Sequence, residues 1–257
     1  MEKGFSLVEL SIVLVILGLL TGGILTGQNL IRAAELRSVV TEFQSHQTAL
    51  QTFRDKYFAI PGDMPNATGF WGVMSSGSCP NATGGTGTQT CNGDGNGNIN
   101  IAGGSGALQS NEVFLFWQHL VNAGLTEGNY SGLAGSNSSY HATRDNIPSS
   151  KLGNAGWHIY NWNTVYSGSV MFDGVYRDNV FQFGTFAPDG SNYGVALTAQ
   201  EAWNVDKKVD DGQPAHGLAH ARFFNGCTDA DDSADLDAGY LLTNTAVSCV
   251  LLFRNVF

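Results

Sequence analysis

Glu9 makes the strongest chemical demand in this chain. It lies in an apolar run that begins at Phe5 and continues without a charge through residues 10–25. A carboxylate withdrawn from water costs several kcal/mol unless something pairs with it. The run is also close to the ~20 residues that a helix needs to cross a bilayer core. A carboxylate at the start of such a segment implies a partner, and the nature of that partner becomes the main question about function. A cleaved secretory signal would have a shorter apolar stretch closed by small residues, whereas here the pattern runs on into Gln28. A plain signal anchor satisfies the hydropathy but gives Glu9 no purpose.

Two acidic loops offer metal chemistry. Asn92, Asp94, Asn96 and Asn98 place side-chain oxygens at alternate positions, interleaved with Gly93, Gly95 and Gly97 and followed by Ile99. That spacing matches the first half of an EF-hand-type calcium loop. The twelfth position is Gly103, which brings no carboxylate, so Glu112 would have to reach in from outside; the plain reading is a glycine-rich surface turn. The second loop crowds Asp229, Asp231, Asp232, Asp235 and Asp237 together. Such carboxylates repel one another unless they are solvated or bridged by a cation such as calcium. Asp206, Asp210 and Asp211 read as a solvated helix end.

Enzyme signatures are missing: there is no G-x-S-x-G, no H-E-x-x-H and no phosphate loop. His46 and His119 fall in helical patterns, while His141, His158, His216 and His220 fall in loops or strands. A net charge of −10 with no Lys/Arg cluster argues against a general nucleic-acid surface. The chain has 33 glycines, yet 15 Phe, 8 Tyr and 5 Trp supply enough apolar bulk for a packed domain. Cys79, Cys91, Cys227 and Cys249 contain no C-x-x-C pair, so disulfides outside the cytoplasm are favoured over a zinc site. Of the three connectivities, the simplest pairs Cys79 with Cys91 and Cys227 with Cys249.

The elements that must position these groups follow from periodicity. Leu30, Ile31, Ala34, Val39, Val40, Phe43, Leu50 and Phe53 recur at helical spacing, and Pro61-Gly62 stops the pattern. One helix is therefore expected over 5–57, its first half apolar all round and its second half laying a stripe on a domain. A second helix is expected over 112–124, with Val113, Phe116, Trp117 and Leu120 on one face and Ser110 or Asn111 as cap. Thr198 and Glu201 form a capping box that starts a short helix to about Val209. Strands are expected over 157–162, 168–172, 180–186, 194–197, 220–224 and 246–253. Helix first and strands after gives an α+β fold with an antiparallel sheet.

The run Lys3-Gly4-Phe5-Ser6-Leu7-Val8-Glu9-Leu10 resembles the processing site of type IV prepilins and pseudopilins. The resemblance is strong over about the first 35 residues. It implies cleavage between Gly4 and Phe5 by a prepilin peptidase, N-methylation of Phe5, and pairing of Glu9 with the N-terminal amine of a neighbouring subunit. On that basis the chain divides into a leader (1–4), a transmembrane and filament-core helix (5–27), an amphipathic continuation (28–57) and an extracytoplasmic pilin-like domain (58–257). Thr26 stands near where many pilins carry a proline, with Gly18, Gly22, Gly23 and Gly27 about it. Segments 57–68 and 204–212 are similar to those of larger bacterial pilin-like proteins.

The resemblance implies a structural subunit of a type IV pilus-like filament, not an enzyme. The other readings are a pseudopilin of type II secretion, a minor tip pilin acting as a surface- or ligand-binding module, and a membrane-anchored envelope enzyme. Implied partners are other pilin subunits, the prepilin peptidase and an assembly platform with its ATPase. The implied location is the bacterial inner membrane, single-pass with a cytoplasmic N-terminus, and then a periplasmic or surface filament.

Overall fold

A computed structural model describes residues 6–74, 87–100, 112–135, 142–161, 171–172, 178–186, 194–222, 226–254 and 257. Helix α1 spans Leu7–Tyr57, 51 residues without a break, and is therefore roughly 75 Å long at about 1.5 Å per residue. Ser6 caps it: its hydroxyl accepts from Val8 N, and Glu9 reaches back to Ser6 N at 2.9 Å. Its far end carries Arg54 and Lys56, cations that suit the negative end of the helix dipole.

The two halves of α1 differ as expected. Every described residue from Ser6 to Thr26 is exposed. The second half buries Leu36, Val39, Phe43, His46, Ala49, Leu50 and Phe53, which recur at steps of three and four and fall on one helical face. That face lies on a four-stranded antiparallel sheet of β1 (Ala155–Asn161), β2 (Asn179–Thr185), β4 (Ala219–Ala221) and β6 (Leu251–Phe253), ordered β1-β2-β6-β4. Alternate residues Trp157, Ile159, Phe181, Phe183, Leu251 and Phe253 turn to the shared core. Phe43 sits at its centre, with its ring 4.4 Å from that of Phe253 and 6.3 Å from that of Trp157. The architecture is α+β.

The remaining elements refine the expectations. A single turn, α2 (Thr68–Trp71), follows the Pro61-Gly62 stop. Helix α3 is Glu112–Asn122, and burial runs all round it from Glu112 to Leu120 rather than along one face. The reason is a second small core of Met74, Cys91 and Leu133, which covers Leu115 on the side away from α1. Helix α4 (Ala199–Val209) starts at the expected Thr198–Glu201 capping box. The expected late strand over 246–253 is two strands: β5 (Val247–Cys249) pairs with β3 (Leu197–Thr198), and β6 pairs in the main sheet. Gly194, expected to begin a strand, makes an isolated bridge to Thr185. Residues 171–172 are outside any strand, and 168–170, like Ser110 and Asn111, lie outside the described residues.

Cys227 and Cys249 are joined. Cys91 is also disulfide-bonded, while Cys79 lies outside the described residues. Gly62 has φ +84, and a Cβ there would meet the Glu112 carbonyl, so this turn can approach α3 only as glycine.

Phe43 tests the helix–sheet seam. Phe43→Ala should cost about 3–5 kcal/mol, because it leaves a cavity between α1 and the sheet. Leu17→Ala, on the exposed half, should shift the same transition by less than about 0.5 kcal/mol. Urea titration followed by tryptophan fluorescence on the detergent-solubilised chain measures both; equal effects would contradict this division of the helix.

Candidate functional site

The exposed half of α1 is the first candidate. Leu7, Val8, Leu10, Ile12 and the large apolar side chains up to Leu25 are each at least half exposed, so no other part of the chain buries them among the described residues, and the segment is long and apolar enough to cross a membrane. Its polar side chains are satisfied within the helix: Thr21 Oγ1 donates to Leu17 O at 2.9 Å, and Thr26 Oγ1 to Gly22 O at 2.9 Å. Internal satisfaction is what a lipid environment requires. A Cβ at Gly18, Gly22, Gly23 or Gly27 would meet nothing within 4 Å. Gly18 and Gly22 lie one turn apart on one side of the helix, and Gly23 and Gly27 one turn apart on another, so both sides are open to a neighbour. Gly4 and Phe5 lie outside the described residues. Glu9 is exposed, and its described partner is the Ser6 amide.

Where α1 leaves the apolar segment it is bound to the domain by charge. Arg32 Nε and Nη2 donate to the Glu201 carboxylate at 2.6 and 2.8 Å, and Arg32 Nη1 donates to Glu35 at 3.1 Å. Burial works to raise the Glu201 pKa, but the hydrogen bonds from Arg32 and Thr198 outweigh it and hold the carboxyl below its usual value. Ten residues along the helix, Glu42 accepts from Trp157 Nε1 at 2.8 Å and from Lys151 N at 3.1 Å. Arg32, Glu35 and Glu42 were not singled out by sequence. Their signal is tertiary, because Glu201 is 169 residues from Arg32.

The first acidic loop folds around a residue that sequence reading passed over. Asp63, buried, accepts from Gly95 N and Asn96 N on Oδ1 and from Gly97 N on Oδ2. Glu112 does reach in, accepting from Asp94 N at 2.9 Å and Asn100 N at 2.8 Å. Oxygens of Asp63, Asp94 and Glu112 all lie within 4.8 Å of one another. Asn92, Asn96 and Asn98 each give their Oδ1 to a protein N–H, from Thr68, Asn98 and Asn161 respectively, and Asn96 Nδ2 donates to Asp94 Oδ2 at 2.7 Å. The loop thus aims backbone N–H groups at carboxylates, an arrangement suited to anionic oxygens. Burial pushes the Glu112 carboxyl up to about 7, against the hydrogen bonds from Asn100 and Asp94. Burial also raises Asp63.

In the second loop, Asp229 accepts from Gly239 N and Asp232 from Ala234 N. Asp231 and Asp237 are exposed and Asp235 is half-exposed. These five carboxylates form no close triad among the described residues, whereas Asp206, Asp210 and Asp211 do. The reading of Asp206 as a solvated helix end is corrected. Asp206 is fully buried, accepting from Tyr240 Oη at 2.8 Å and Gly212 N at 3.1 Å, and burial raises its pKa to about 7. Four histidines are buried as well, and burial lowers His46, His119 and His220 to about 4 and His158 to about 3.

Three comparisons bear on the apolar helix. Residues 1–25 match the prokaryotic N-terminal methylation motif, the cleavage and methylation site of type IV prepilin-like proteins. No curated protein and no solved structure matches the chain. The motif supports a type IV pilin-like or pseudopilin-type protein, and together with the apolar helix it fits membrane anchoring.

The buried groups make stability depend on pH in opposing ways. A histidine held below its ordinary 6.5 contributes stability above that value, and the contribution is lost as pH falls through about 4. Glu112 and Asp206, raised from 4.5 and 3.8 to about 7, contribute most below those unfolded values and lose it as pH rises through about 7. Between about pH 4.5 and 6.5 unfolding protonates four histidines and deprotonates two carboxyls, so stability should rise with pH. Glu112→Gln should steepen that rise, because it removes a group that opposes it. Denaturation midpoints measured across this range check both; an unchanged slope in the variant would show that Glu112 is not a buried, raised carboxyl.

Proposed function

We propose that this chain is a structural subunit of a type IV pilus-like filament, cleaved between Gly4 and Phe5 and assembled through α1. The observation that carries the reading is the methylation motif at residues 1–25, heading a 51-residue helix whose apolar first half is exposed along its length among the described residues. An apolar surface of that size needs lipid before assembly and other apolar helices after it.

In this reading the mature amine of Phe5 and the carboxylate of a neighbour's Glu9 neutralise each other in the filament core and fix subunit register. The two glycine pairs, Gly18/Gly22 and Gly23/Gly27, let helices approach closely on two sides. The domain from residue 58 onward faces outward, and the chain crosses the inner membrane once before joining other subunits. Its partners are a prepilin peptidase and an assembly platform.

The test is intact mass and N-terminal peptide mass of the membrane-fraction protein from its native host. A chain beginning at a methylated Phe5 is expected. Retention of residues 1–4 in a host with active prepilin peptidase would overturn the proposal and leave a signal-anchored envelope protein.

A further inference from the structure

Phe58 is costly twice over. It closes α1 in the left-handed region, φ 52 and ψ 34, donating its N–H to Arg54 O at 2.8 Å. A bulky side chain is strained there, and the position favours glycine. The side chain is also 94% exposed, so no contact within the described chain offsets the cost. It borders Gln51, Arg54, Asp55 and Ile60, and at the same end of α1 Phe70 is 57% exposed and Tyr57 packs on Phe70 and Trp71 with ring centroids 5.3 and 5.4 Å apart. Arg54 and Lys56 flank it, with Asp55 between them. Neither cation has an ion-pair partner among the described residues.

A groove of about 1010 Å³ opens lower on the same helix, between α1 residues 31–46 and the loops at 125–130 and 148–151. Its apolar wall is Ile31, Leu125 and Tyr130. Three carboxylates, Glu35, Glu42 and Glu127, face it against two cations, Arg37 and Lys151. Buried His46 also lines it, edge-on to Trp117 and Trp157, and neither ring nitrogen has a hydrogen-bond partner among the described residues.

We infer that the Phe58 end of one copy docks in this groove on a second copy. The apolar surfaces match, and the cations of the Phe58 end meet the exposed Glu127, which has no ion-pair partner among the described residues, whereas Glu35 is already paired with Arg32. The aromatic end cannot be using the bilayer that holds the apolar segment, since Phe58 is about 50 Å along the helix from residue 25. The two surfaces are different, so the contact is head-to-tail, and because it offsets parallel copies along the helix axis it cannot close into a ring and propagates as a filament. Groove and Phe58 are roughly 20–40 Å apart along α1, whereas a Phe5–Glu9 pairing steps neighbours by about 6 Å. The docking therefore joins copies several steps apart, and it rests on the filament reading above.

The experiment places photoreactive benzoylphenylalanine at position 58, and separately at position 17, in the full chain in native membranes. The expected result is a covalent dimer from position 58, with crosslinked peptides mapping to residues 31–46, 125–130 or 148–151 of the second copy. Glu127→Lys should reduce its yield about fivefold, and adding Lys56→Glu should restore it. Dimers from position 17, with position 58 reaching lipid, another protein, a different surface or nothing, would overturn the docking and leave the filament reading standing. No dimer from either position would overturn both.

Discussion

One unbroken helix has to satisfy two solvents, and the rest of the structure is arranged around that requirement. No proline precedes Pro61, so the backbone of α1 satisfies its own hydrogen bonds from an apolar medium into an aqueous one. Thirteen large apolar side chains between Leu7 and Leu25 are exposed. At about 1.5–3 kcal/mol for fully burying each, their transfer from water exceeds the ~5–15 kcal/mol that holds a typical domain together. This half of the helix thus favours an apolar surrounding over water by more than the domain's own stability. The domain is left to hold the other half in place, which it does with the Phe43 seam and with Arg32–Glu201 at the point where α1 leaves the apolar segment.

Glu9 shows how a charge survives at the head of such a segment. In the free chain it caps the Ser6 amide and lies at the positive end of the helix dipole, so its charge is partly compensated locally. A single neutral N–H is a weaker partner for a carboxylate than a full cation is. An amine offered by a neighbouring chain can therefore displace the Ser6 contact at a net gain, provided both groups leave water together.

How much was legible in the sequence depended on how local each signal was. The long helix, its stop at Pro61-Gly62 and the Thr198–Glu201 box are written in short-range spacing, and the structure has all three. The Cys227–Cys249 pair, 22 residues apart, belongs to the simplest of the three connectivities the sequence left open, the one that closes local loops. Asp63 was invisible because nothing around it marks a carboxylate that will accept three N–H groups from a loop more than 30 residues away. The all-round burial of α3 and the split of β5 from β6 at Val250 depend on which surfaces cover them, and periodicity along one segment carries no such information. The same holds for the groove along α1, whose lining comes from three separate stretches of chain.

A docking contact built on Phe58 has no need to be strong in isolation. One exposed aromatic ring and one or two ion pairs at a rim would bind two free molecules weakly, since association first costs several kcal/mol of lost translational and rotational freedom. Helices already packed side by side have paid that cost, so each added contact acts at an effective concentration set by geometry. Under those conditions an αL strain of roughly 1–2 kcal/mol at Phe58, which returns nothing within one chain, is offset once per subunit along the assembly. That is the circumstance in which a chain can keep phenylalanine where glycine would fold more cheaply.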